Sequence, residues 1–594
     1  MIYPESRLPT TFKCARSQQV ELHRRHFLAQ MMASGVLVAM RPSSAIARPT
    51  TGGSQRAPRI VNIYNFVRNS DPRLANSERI LFNATEHQLK LLRQLKLPCT
   101  FALQYDALIN PRYQKLFKQH ATAAMEIAAW WEIPRPLVLK AGLKWRGPAS
   151  AAWSSHVKYD FSIGYTPTER VMLADVYMAD FKRIFGRYPA TAGSWYIDEV
   201  TLAHLAGRYG IVASCNCKDQ AQTDGYTLWG GYWNQAYYPS RLNAWMPAQN
   251  RDAQINIPVF RMLGSDPIYQ YQSDLGGNGQ GVITLESVYS PGGRSPQWVD
   301  WYLNILAREP CLAFAYGQAG QENSFGWNAM KQGIELQFPL FSKLARAGEI
   351  QIETLEQSGR WFRDSFKVTP ATCVVAMKDW RHQGRKTVWY NSRFFRTNLY
   401  WHGANFVIRD IHLFNENVIS PYHRKAARTN DMAVYTLPIM DGFSWRYSGS
   451  NKTSAGIRLV GLDAKGVRAA LKMAGQPKVV PINKKDLRIE FSLENGATME
   501  LVCQEDQLTF RLHSRSGNAF HWALEMLWNA SRATGIGKLD KRRLAYANQG
   551  VDYALMLDKG LFYRPSATQP AILLLPQNDE IVMALKSQVT RHRT

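Results

Sequence analysis

The fold of the first half of the chain is decided by one segment, Arg59-Ile60-Val61-Asn62-Ile63-Tyr64-Asn65-Phe66. Its β-branched and aromatic residues are typical of a buried strand. Leucines recur at helical spacing between residues 86 and 97, and a second strand-like run follows at residues 99–105. A strand, a helix and a second strand in this order predict a parallel pair of strands with a covering helix.

The same alternation continues to about residue 362. Further strand-like runs lie at residues 125–131, 192–197, 211–214, 257–262, 311–316 and 350–353. The helical stretch at residues 168–185 is entered by Thr166-Pro167-Thr168-Glu169, which is an N-terminal capping pattern. Roughly six to eight strand–helix units predict an α/β fold, a (β/α) barrel that is seven-stranded or irregular. Ligand sites in such barrels lie at the carboxyl ends of the strands.

The sequence changes character after about residue 365. Short β-rich runs lie at residues 374–377, 387–390, 487–493, 499–503 and 508–512, separated by turn residues such as Asn495-Gly496. They predict an all-β, sandwich-like C-terminal domain. The predicted organisation is a signal peptide at 1–47, a flexible leader at 48–57, a barrel at 58–365 and a β-rich accessory domain at 366–594.

The N-terminus resembles an export signal. Arg24-Arg25 precedes an apolar run at residues 27–40, and Ser44-Ala45-Ile46-Ala47 offers small residues to signal peptidase. The arginine pair resembles the twin-arginine motif, which directs folded proteins through the Tat translocase. A membrane anchor is the alternative, but about 14 apolar residues fall short of the ~20 that span a bilayer. We therefore expect a periplasmic or secreted protein without a stable membrane span.

The composition narrows the class of partner. Lys and Arg number 72 against 46 Asp and Glu, which gives a formal net charge of +26. Such an excess favours acidic partners, including a polyanionic polysaccharide, and a generally basic surface is the alternative. The sequence contains no recognisable nucleic-acid module and no cofactor motif, so we expect neither nucleic acid nor a cofactor. Six of the seven cysteines follow the signal at irregular spacing, which is typical of buried thiols.

The barrel half resembles the polysaccharide deacetylase and glycoside hydrolase family 57 type of fold, over roughly residues 58–365. Four places along the chain carry the resemblance, and their order is the signal. They are residues 91–96 together with 99–103, residues 125–128, residues 185–189 together with 193–198, and residues 209–211. The resemblance implies a barrel with catalytic carboxylates at its mouth. The chain is also similar to a bacterial family of exported proteins with a barrel and a β-rich tail.

The metal-dependent deacetylases of this type use an early Asp pair and a His-x-x-x-His metal pair. Here Trp130 stands near the place where a histidine is expected, and His156 is the only histidine between His120 and His204. A metal site needs several converging ligands. The sequence therefore favours a metal-free acid–base mechanism, with no metal ligands predicted.

Hydrolysis of a glycosidic bond needs two carboxyl groups, one to protonate the leaving oxygen and one to attack C1 or activate water. Asp198 follows the strand-like run at 192–197, and Glu322 follows the run at 311–316. We predict these two as the catalytic pair, with Asp266 as the substitute. The alternative for each is a helix cap or a salt-bridge partner, and Asp198 directly precedes a helix.

Candidate substrate-binding residues lie at predicted strand ends and in an aromatic loop at residues 224–238. Rings interleaved with Gly, Asn and Gln suit a sugar site, since rings stack on pyranose faces while amides bind hydroxyls. Packing of this loop on the barrel is the alternative. The predicted substrate-binding residues are Asp106, Glu126, Trp130, Trp195, Asp224, Trp229, Trp233, Asn234, Gln321 and Asn323.

These features predict an exported hydrolase that cleaves glycosidic bonds in a polysaccharide or oligosaccharide, with acidic polymers among the candidates. One alternative is a metal-dependent polysaccharide deacetylase or esterase. The other is a glycan-binding envelope protein without catalytic activity.

Overall fold

The computed structural model describes residues 56–154, 156–216, 231–272, 283–430, 435–445, 455–514, 521–566, 570–586 and 591–592. The predicted signal peptide at residues 1–47 lies outside them, as do Asp224 and Trp229. Contacts group Ala57–Thr594 into one unit, to which all elements below belong. Within the described ranges, no helix is long and apolar enough to cross a bilayer.

The first half of the chain contains a sheet of mostly parallel strands. Its strands, with those of a small separate hairpin, are β1 (Arg59–Val67), β2 (Cys99–Leu103), β3 (Met125–Trp130), β4 (Thr191–Gly193), β5 (Ala213–Asn216), β6 (Ala236–Tyr237), β7 (Pro239–Ser240), β8 (Asn243–Pro247), β9 (Val259–Arg261), β10 (Ala315–Ala319) and β11 (Gln351–Glu353). Neighbours in the sheet follow the order β10-β1-β2-β3-β4-β5-β9-β6, and β11 also pairs with β1. All of these pairs are parallel except β6 with β9, while β7 and β8 form the hairpin.

Helices connect these strands. They are α1 (Ser77–Leu95), α2 (Tyr105–Ile109), α3 (Pro111–His120), α4 (Arg135–Lys140), α5 (Val157–Asp160), α6 (Pro167–Phe185), α7 (Glu199–Tyr209), α8 (Pro296–Arg308), α9 (Trp327–Arg346) and α10 (Leu355–Ser365), with short 3₁₀ turns at Ser162–Gly164, Gln270–Gln272 and Asn323–Phe325. The capping pattern predicted before α6 is confirmed. The Thr166 side chain accepts from the Glu169 backbone N–H, and the Glu169 carboxylate accepts from the Thr166 backbone N–H.

Strand β1 is buried along its whole length because both faces of the sheet are covered. Val61 and Ile63 pack in the hydrophobic cluster shared with the helices. Tyr64 and Phe66 point to the other face and pack in an inner cluster with Trp130. The alternation along β1 therefore separates an outer layer of helices from an aromatic interior.

The sheet curls until its two ends approach each other. The rings of Phe260 in β9 and Tyr316 in β10 lie 5.0 Å apart between centroids. Among the described residues, no ladder of backbone hydrogen bonds joins these two strands. The described strands therefore form a nearly closed, parallel-rich sheet with helices around it, and closure into a barrel stays a prediction.

Helix α10 covers the amino ends of several strands. The Leu355 backbone N–H donates to Thr100 Oγ1 at the start of β2, at 3.0 Å. Farther along the helix, Gly359 lies so close to Ala213 that a Cβ on the glycine would be 2.4 Å from the alanine Cβ. Phe362 then packs against Phe260 of β9. Because α10 covers the amino ends, a ligand site is expected at the carboxyl ends.

The second half of the chain is built of β-strands. They are β12 (Thr372–Ala376), β13 (Arg385–Asn391), β14 (Phe395–His402), β15 (Asn405–Leu413), β16 (Leu437–Asp441), β17 (Gly456–Leu462), β18 (Arg468–Ala470), β19 (Met473–Pro481), β20 (Leu487–Leu493), β21 (Thr498–Cys503), β22 (Gln507–His513), β23 (Trp522–Leu527), β24 (Ile536–Leu539), β25 (Arg543–Asn548), β26 (Val551–Lys559), β27 (Leu561–Tyr563), β28 (Ala571–Leu575), β29 (Glu580–Ala584) and β30 (Arg591–His592).

These strands form two antiparallel sheets that share one hydrophobic cluster. The ring centroids of Trp401 in β14 and Phe491 in β20 are 6.0 Å apart across that cluster. The first of these sheets also packs on the barrel half. Trp389 of β13 stacks on Trp233, with 4.4 Å between ring centroids and 7° between ring planes.

Candidate active site

Arg68 follows β1 directly, and its guanidinium is the centre of a buried polar cluster at the carboxyl end of the sheet. Arg68 Nε donates to Glu132 Oε2 at 2.9 Å, and Arg68 Nη2 donates to Glu132 Oε1 at 2.7 Å. Glu132 comes two residues after β3. This two-point pairing fixes the plane of the guanidinium as well as its position.

Glu322 reaches the same guanidinium from the loop after β10, which lies on the other side of β1 in the sheet. Arg68 Nη1 donates to Glu322 Oε2 at 2.6 Å and to Ser324 Oγ at 3.1 Å. Glu322 Oε1 accepts no hydrogen bond from the residues that the structure describes. One oxygen of Glu322 is therefore held in place, and the other is available to a ligand.

The cluster is almost closed to solvent. Arg68 is 1% exposed, Glu132 0% and Glu322 5%. Burial by itself lowers the pKa of Arg68, but the charges of Glu132 and Glu322 outweigh this effect and raise that pKa above its ordinary value. A buried ion cluster of this kind is stable only while each charge keeps its partner.

Gln104 and Asp106 join the cluster from the end of β2. Gln104 Nε2 donates to Glu132 Oε2 at 2.6 Å. Asp106 accepts from the Asn69 backbone N–H at 3.2 Å and from the Ala107 backbone N–H at 2.7 Å, so it holds the loop that follows Arg68. Burial raises the pKa of Asp106 to about 7, and the charge of Glu132 adds to the rise.

Asp160, the last residue of α5, is fully buried and lies near enough to Glu132 for the charge of Glu132 to act on it. Its Oδ2 accepts from Ser154 Oγ at 3.0 Å and from the His156 backbone N–H at 2.8 Å. Its buried Oδ1 has no hydrogen-bond partner among the described residues. Burial raises the pKa of Asp160 to about 7, and the charge of Glu132 contributes. A carboxyl group with this pKa can both hold and release a proton near neutral pH.

Aromatic rings surround the cluster. The ring centroid of Trp153 lies 4.0 Å from the guanidinium carbon of Arg68. Trp130 stacks on Phe66 at 4.0 Å between centroids, and Trp195 packs edge-on against both rings. Trp130 is fully buried, whereas Trp195 is 8% exposed. Trp130 is therefore a packing residue, and of the two predicted sugar-binding tryptophans here only Trp195 reaches solvent.

Asp198 is enclosed by contacts that hold a helix and pair a buried arginine. It is fully buried at the N-cap of α7, where its Oδ1 accepts from Arg170 Nη1 and from the Thr201 backbone N–H, each at 3.0 Å. Its Oδ2 accepts from Thr201 Oγ1 and Ser162 Oγ. Burial opposes ionisation, yet the charge of Arg170 lowers the pKa of Asp198 below its ordinary value. The helix-cap alternative describes these contacts, so we do not place Asp198 in the candidate site.

Asp266 is also enclosed by donors. Its Oδ1 accepts from the backbone N–H groups of Ile268 and Tyr269, both at 2.7 Å. Its Oδ2 accepts from Trp298 Nε1 at 2.8 Å and Trp380 Nε1 at 2.9 Å. Trp380 belongs to the second half of the chain, so Asp266 links the two halves. Both of its oxygens are occupied, and it too lies outside the candidate site.

Three other predicted substrate-binding residues have structural contacts. Glu126 lies toward the amino end of β3, where its Oε2 accepts from Thr100 Oγ1 at 2.9 Å, so it is at the opposite end of the sheet from Arg68. Trp233 is 1% exposed beneath Trp389. Asn234 exchanges two hydrogen bonds with the backbone of Ser265. None of these three side chains is brought to the Arg68 cluster.

The remaining two residues lie in the loop that carries Glu322. Gln321 donates to Glu286 Oε1 at 3.2 Å and is buried behind the loop. Asn323 binds the backbone of Arg68 through both atoms of its side-chain amide. Asn323 therefore positions the cluster, and its predicted contact with substrate stays a prediction.

The divalent metal of the deacetylases does not fit the described residues. They contain no group of three or more His, Cys, Asp or Glu side chains arranged to hold a metal ion. At the carboxyl ends of the strands, the position among Glu132 and Glu322 is taken by the guanidinium of Arg68. A cation site cannot share that position with a permanent positive charge. We therefore derive no step through a metal.

Sequence reasoning missed Arg68, Asp160 and the role of Glu132. The available signal was weak: Arg68 is a charged residue directly after a fully buried strand, and Glu132 follows a run of buried residues. Local sequence does not show that residues separated by 64 and 254 positions meet at one guanidinium.

No family model matches the sequence, and no curated protein matches it. A solved structure provisionally assigned as a glycoside hydrolase/deacetylase, from Parabacteroides distasonis, is similar with a TM-score of 0.47 and 13% identity, over 65% of this chain and 89% of that chain. A provisionally assigned polysaccharide deacetylase from Mycobacterium smegmatis has a TM-score of 0.34 and 12% identity, over 56% and 97%. A GH57-type branching enzyme from Pyrococcus horikoshii has a TM-score of 0.29 and 10% identity, over 52% and 70%. All three TM-scores are below 0.5.

Proposed function

We propose that this protein is a carbohydrate-active hydrolase that cleaves glycosidic bonds in a polysaccharide by a two-carboxylate mechanism. The observation that carries the proposal is the pair formed by Arg68 and Glu322. The guanidinium holds one oxygen of the carboxylate and leaves the other without a hydrogen bond from the described residues. Of the predicted catalytic residues, Glu322 is the one that this geometry supports.

In the proposed mechanism, Glu322 acts on the anomeric carbon. Its Oε1 either attacks C1 or takes a proton from the water that attacks C1. Arg68 orients the carboxylate through Oε2, and Glu132 holds Arg68 by two hydrogen bonds. Glu132 itself has both oxygens occupied, which suits a positioning role.

Asp160 replaces Asp198 as the proposed acid. Its partnerless Oδ1 and its raised pKa of about 7 suit a proton donor. Since Asp160 is fully buried in the structure, the side chains that cover Oδ1 must move before this atom reaches the leaving glycosidic oxygen. As the C1–O bond breaks, the proton of Asp160 moves to that oxygen and Asp160 becomes a carboxylate. If water attacks C1 directly, its oxygen bonds to C1 and its proton moves to Glu322. If Glu322 attacks C1 instead, water then breaks the C1–Oε1 bond and gives its proton to Asp160, so either route sums to hydrolysis.

We further propose that the protein acts outside the cytoplasm, in the periplasm or secreted, after export through the Tat translocase. The proposal rests on Arg24-Arg25, the apolar run at residues 27–40 and the small residues before position 48. Replacing both arginines by lysine is expected to leave the full-length precursor in the cytoplasm, as measured by fractionation.

The first experiment measures sugar release from a panel of neutral and acidic polysaccharides, with and without chelator. It compares the wild type with Glu322→Gln, and with Glu335→Gln on the surface of α9 as the matched control. Chelator-resistant release that is lost only in Glu322→Gln supports the proposal. The same samples are assayed for released acetate, and release of acetate that chelator abolishes would show the metal-dependent esterase instead. Glycan binding without any release would show a binding protein.

A further inference from the structure

A basic cleft lies at the end of the barrel opposite to the candidate active site. It is formed by the last turns of α10, the residues that follow this helix, and the segment around residues 251–256, and its volume is about 340 Å³. Among its lining side chains are Arg251, Arg360, Arg363 and Lys367, with one acidic side chain, Asp364. Since α10 covers the amino ends of the strands, this cleft is separate from the cluster around Arg68.

Three of these cations, Arg251, Arg363 and Lys367, have no ion-pair partner among the described residues. Arg360 is bound to Glu356 at 2.8 Å, so its charge is largely compensated. Arg251 and Arg363 make no side-chain hydrogen bond or ion pair with the described part of the chain, and Lys367 Nζ contacts only the Arg363 carbonyl at 3.4 Å. The cleft therefore presents two guanidinium groups and one ammonium group to an incoming anion.

Gln254 adds an acceptor to the same cleft. It is only 4% exposed, and its Nε2 donates to the Lys367 carbonyl at 3.1 Å, which defines the orientation of the amide. Its Oε1 is buried and has no partner among the described residues. A buried acceptor without a donor is unfavourable, and a ligand hydroxyl would satisfy it.

We propose that this cleft binds an acidic sugar unit of a polysaccharide, at a site distinct from the hydrolytic centre. Arg251 and Arg363 bind the carboxylate or sulfate group, and Gln254 Oε1 accepts a hydrogen bond from a neighbouring hydroxyl. The combination of cations with a buried hydroxyl acceptor in a polar, concave site favours a sugar over a membrane surface or a nucleic acid. This binding does not require the proposed hydrolysis.

The test measures binding of the exported chain to polygalacturonate, to a sulfated glycan, to neutral dextran and to single-stranded DNA, by titration calorimetry. The double variant Arg251→Gln/Arg363→Gln is compared with Arg532→Gln/Lys538→Gln, which removes the same net charge from exposed sites in the β-rich half. We expect the first pair to weaken polygalacturonate binding about tenfold or more and the second pair to leave it within about twofold. Comparing the affinity for the sulfated glycan with that for polygalacturonate shows whether the cleft prefers a sulfate or a carboxylate group.

Equal weakening by the two double variants would overturn the proposal, because net charge alone would then explain binding. Binding of DNA that is as tight as that of polygalacturonate and equally sensitive to Arg251 and Arg363 would overturn it as well. The variant Gln254→Met isolates the hydroxyl acceptor: it should weaken glycan binding while leaving binding of inorganic sulfate unchanged. A loss of sugar release with glycan binding intact would concern the Arg68 cluster and not this cleft.

Discussion

Asn323 and the backbone of Arg68 exchange two hydrogen bonds. The Arg68 N–H donates to Asn323 Oδ1 at 3.0 Å, and Asn323 Nδ2 donates to the Arg68 carbonyl at 2.8 Å. The loop after β10 is thereby fastened to the end of β1, and Glu322, the neighbour of Asn323 in the chain, meets the Arg68 guanidinium. The position of the proposed catalytic carboxylate therefore depends on an amide that need not touch the substrate.

Replacing Asn323 by alanine should lower kcat about tenfold while changing KM little, because Glu322 loses its alignment with Arg68. It should also reduce the free energy of unfolding by about 1–3 kcal/mol, since the buried Arg68 N–H loses its partner while the Arg68 carbonyl keeps the Tyr113 hydroxyl. Steady-state kinetics and denaturant unfolding measure the two effects. Asn304→Ala, at a half-buried position of α8, is the control. Reduced stability with an unchanged kcat in Asn323→Ala would contradict the positioning role.

Asp198→Asn should reduce stability without abolishing catalysis. The variant leaves the buried Arg170 without its counter-charge, which costs about 3–5 kcal/mol. Because the pKa of Asp198 is lowered in the folded state, its stabilisation is present above the ordinary pKa and is lost as pH falls through the lower, folded-state pKa. Activity per folded molecule, measured beside the unfolding curve, should stay within about threefold of wild type. A loss of activity far beyond the unfolded fraction would restore Asp198 as a catalytic candidate.

Ionisation of Asp160 should cause a decrease of kcat/KM at alkaline pH, which is the alkaline limb of the pH profile. As the proposed acid it must be protonated, and its pKa is about 7, so kcat/KM should fall as pH rises above 7. Asp160→Asn should lower activity about 10²–10⁴-fold and flatten this limb. Asp106→Asn is the matched control because the pKa of Asp106 is also about 7. If the Asp106 variant loses the limb and the Asp160 variant keeps it, the assignment of the acid is wrong.

Asp106 should make the protein less stable as pH rises from 4 to 7. Its pKa is raised from 3.8 to about 7 by folding, so the stability that it contributes is fully present below 3.8 and is lost as pH rises through 7. The change is at most about 4 kcal/mol, at ~1.4 kcal/mol for each pKa unit. The measurement is the difference between the unfolding free energies of wild type and Asp106→Asn across this range. Parallel curves for the two proteins would show that Asp106 ionises normally.

The sequence predicted helices and strands well where the pattern that indicates them spans only a few neighbouring residues. The first strand, predicted at residues 59–66, is β1 at Arg59–Val67, and the cap at Thr166 begins α6 as expected. The change to β-rich sequence after residue 365 coincides with the end of α10 and the start of β12 at Thr372. Hydrophobic periodicity and helix capping involve residues that are close together in the chain, so both can be recognised in the sequence alone.

The candidate site could be predicted only in part, because its residues are far apart in the chain. Glu322 was predicted from its place after a strand, but Arg68, Glu132 and Asp160 became partners only through the order of strands in the sheet. Asp198 satisfied the same pattern as Glu322, and the fold made it a buried cap paired with Arg170.

The sequence by itself determined the alternation of strands and helices, the β-rich second half and the carboxylates available at strand ends, because side-chain period and capping are local properties. Only the tertiary structure decided which carboxylates meet, since that depends on β10 and β3 lying on opposite sides of β1. The physical reason is that a buried charge must find its counter-charge in space, and Arg68 finds Glu132 and Glu322 across 64 and 254 residues of chain.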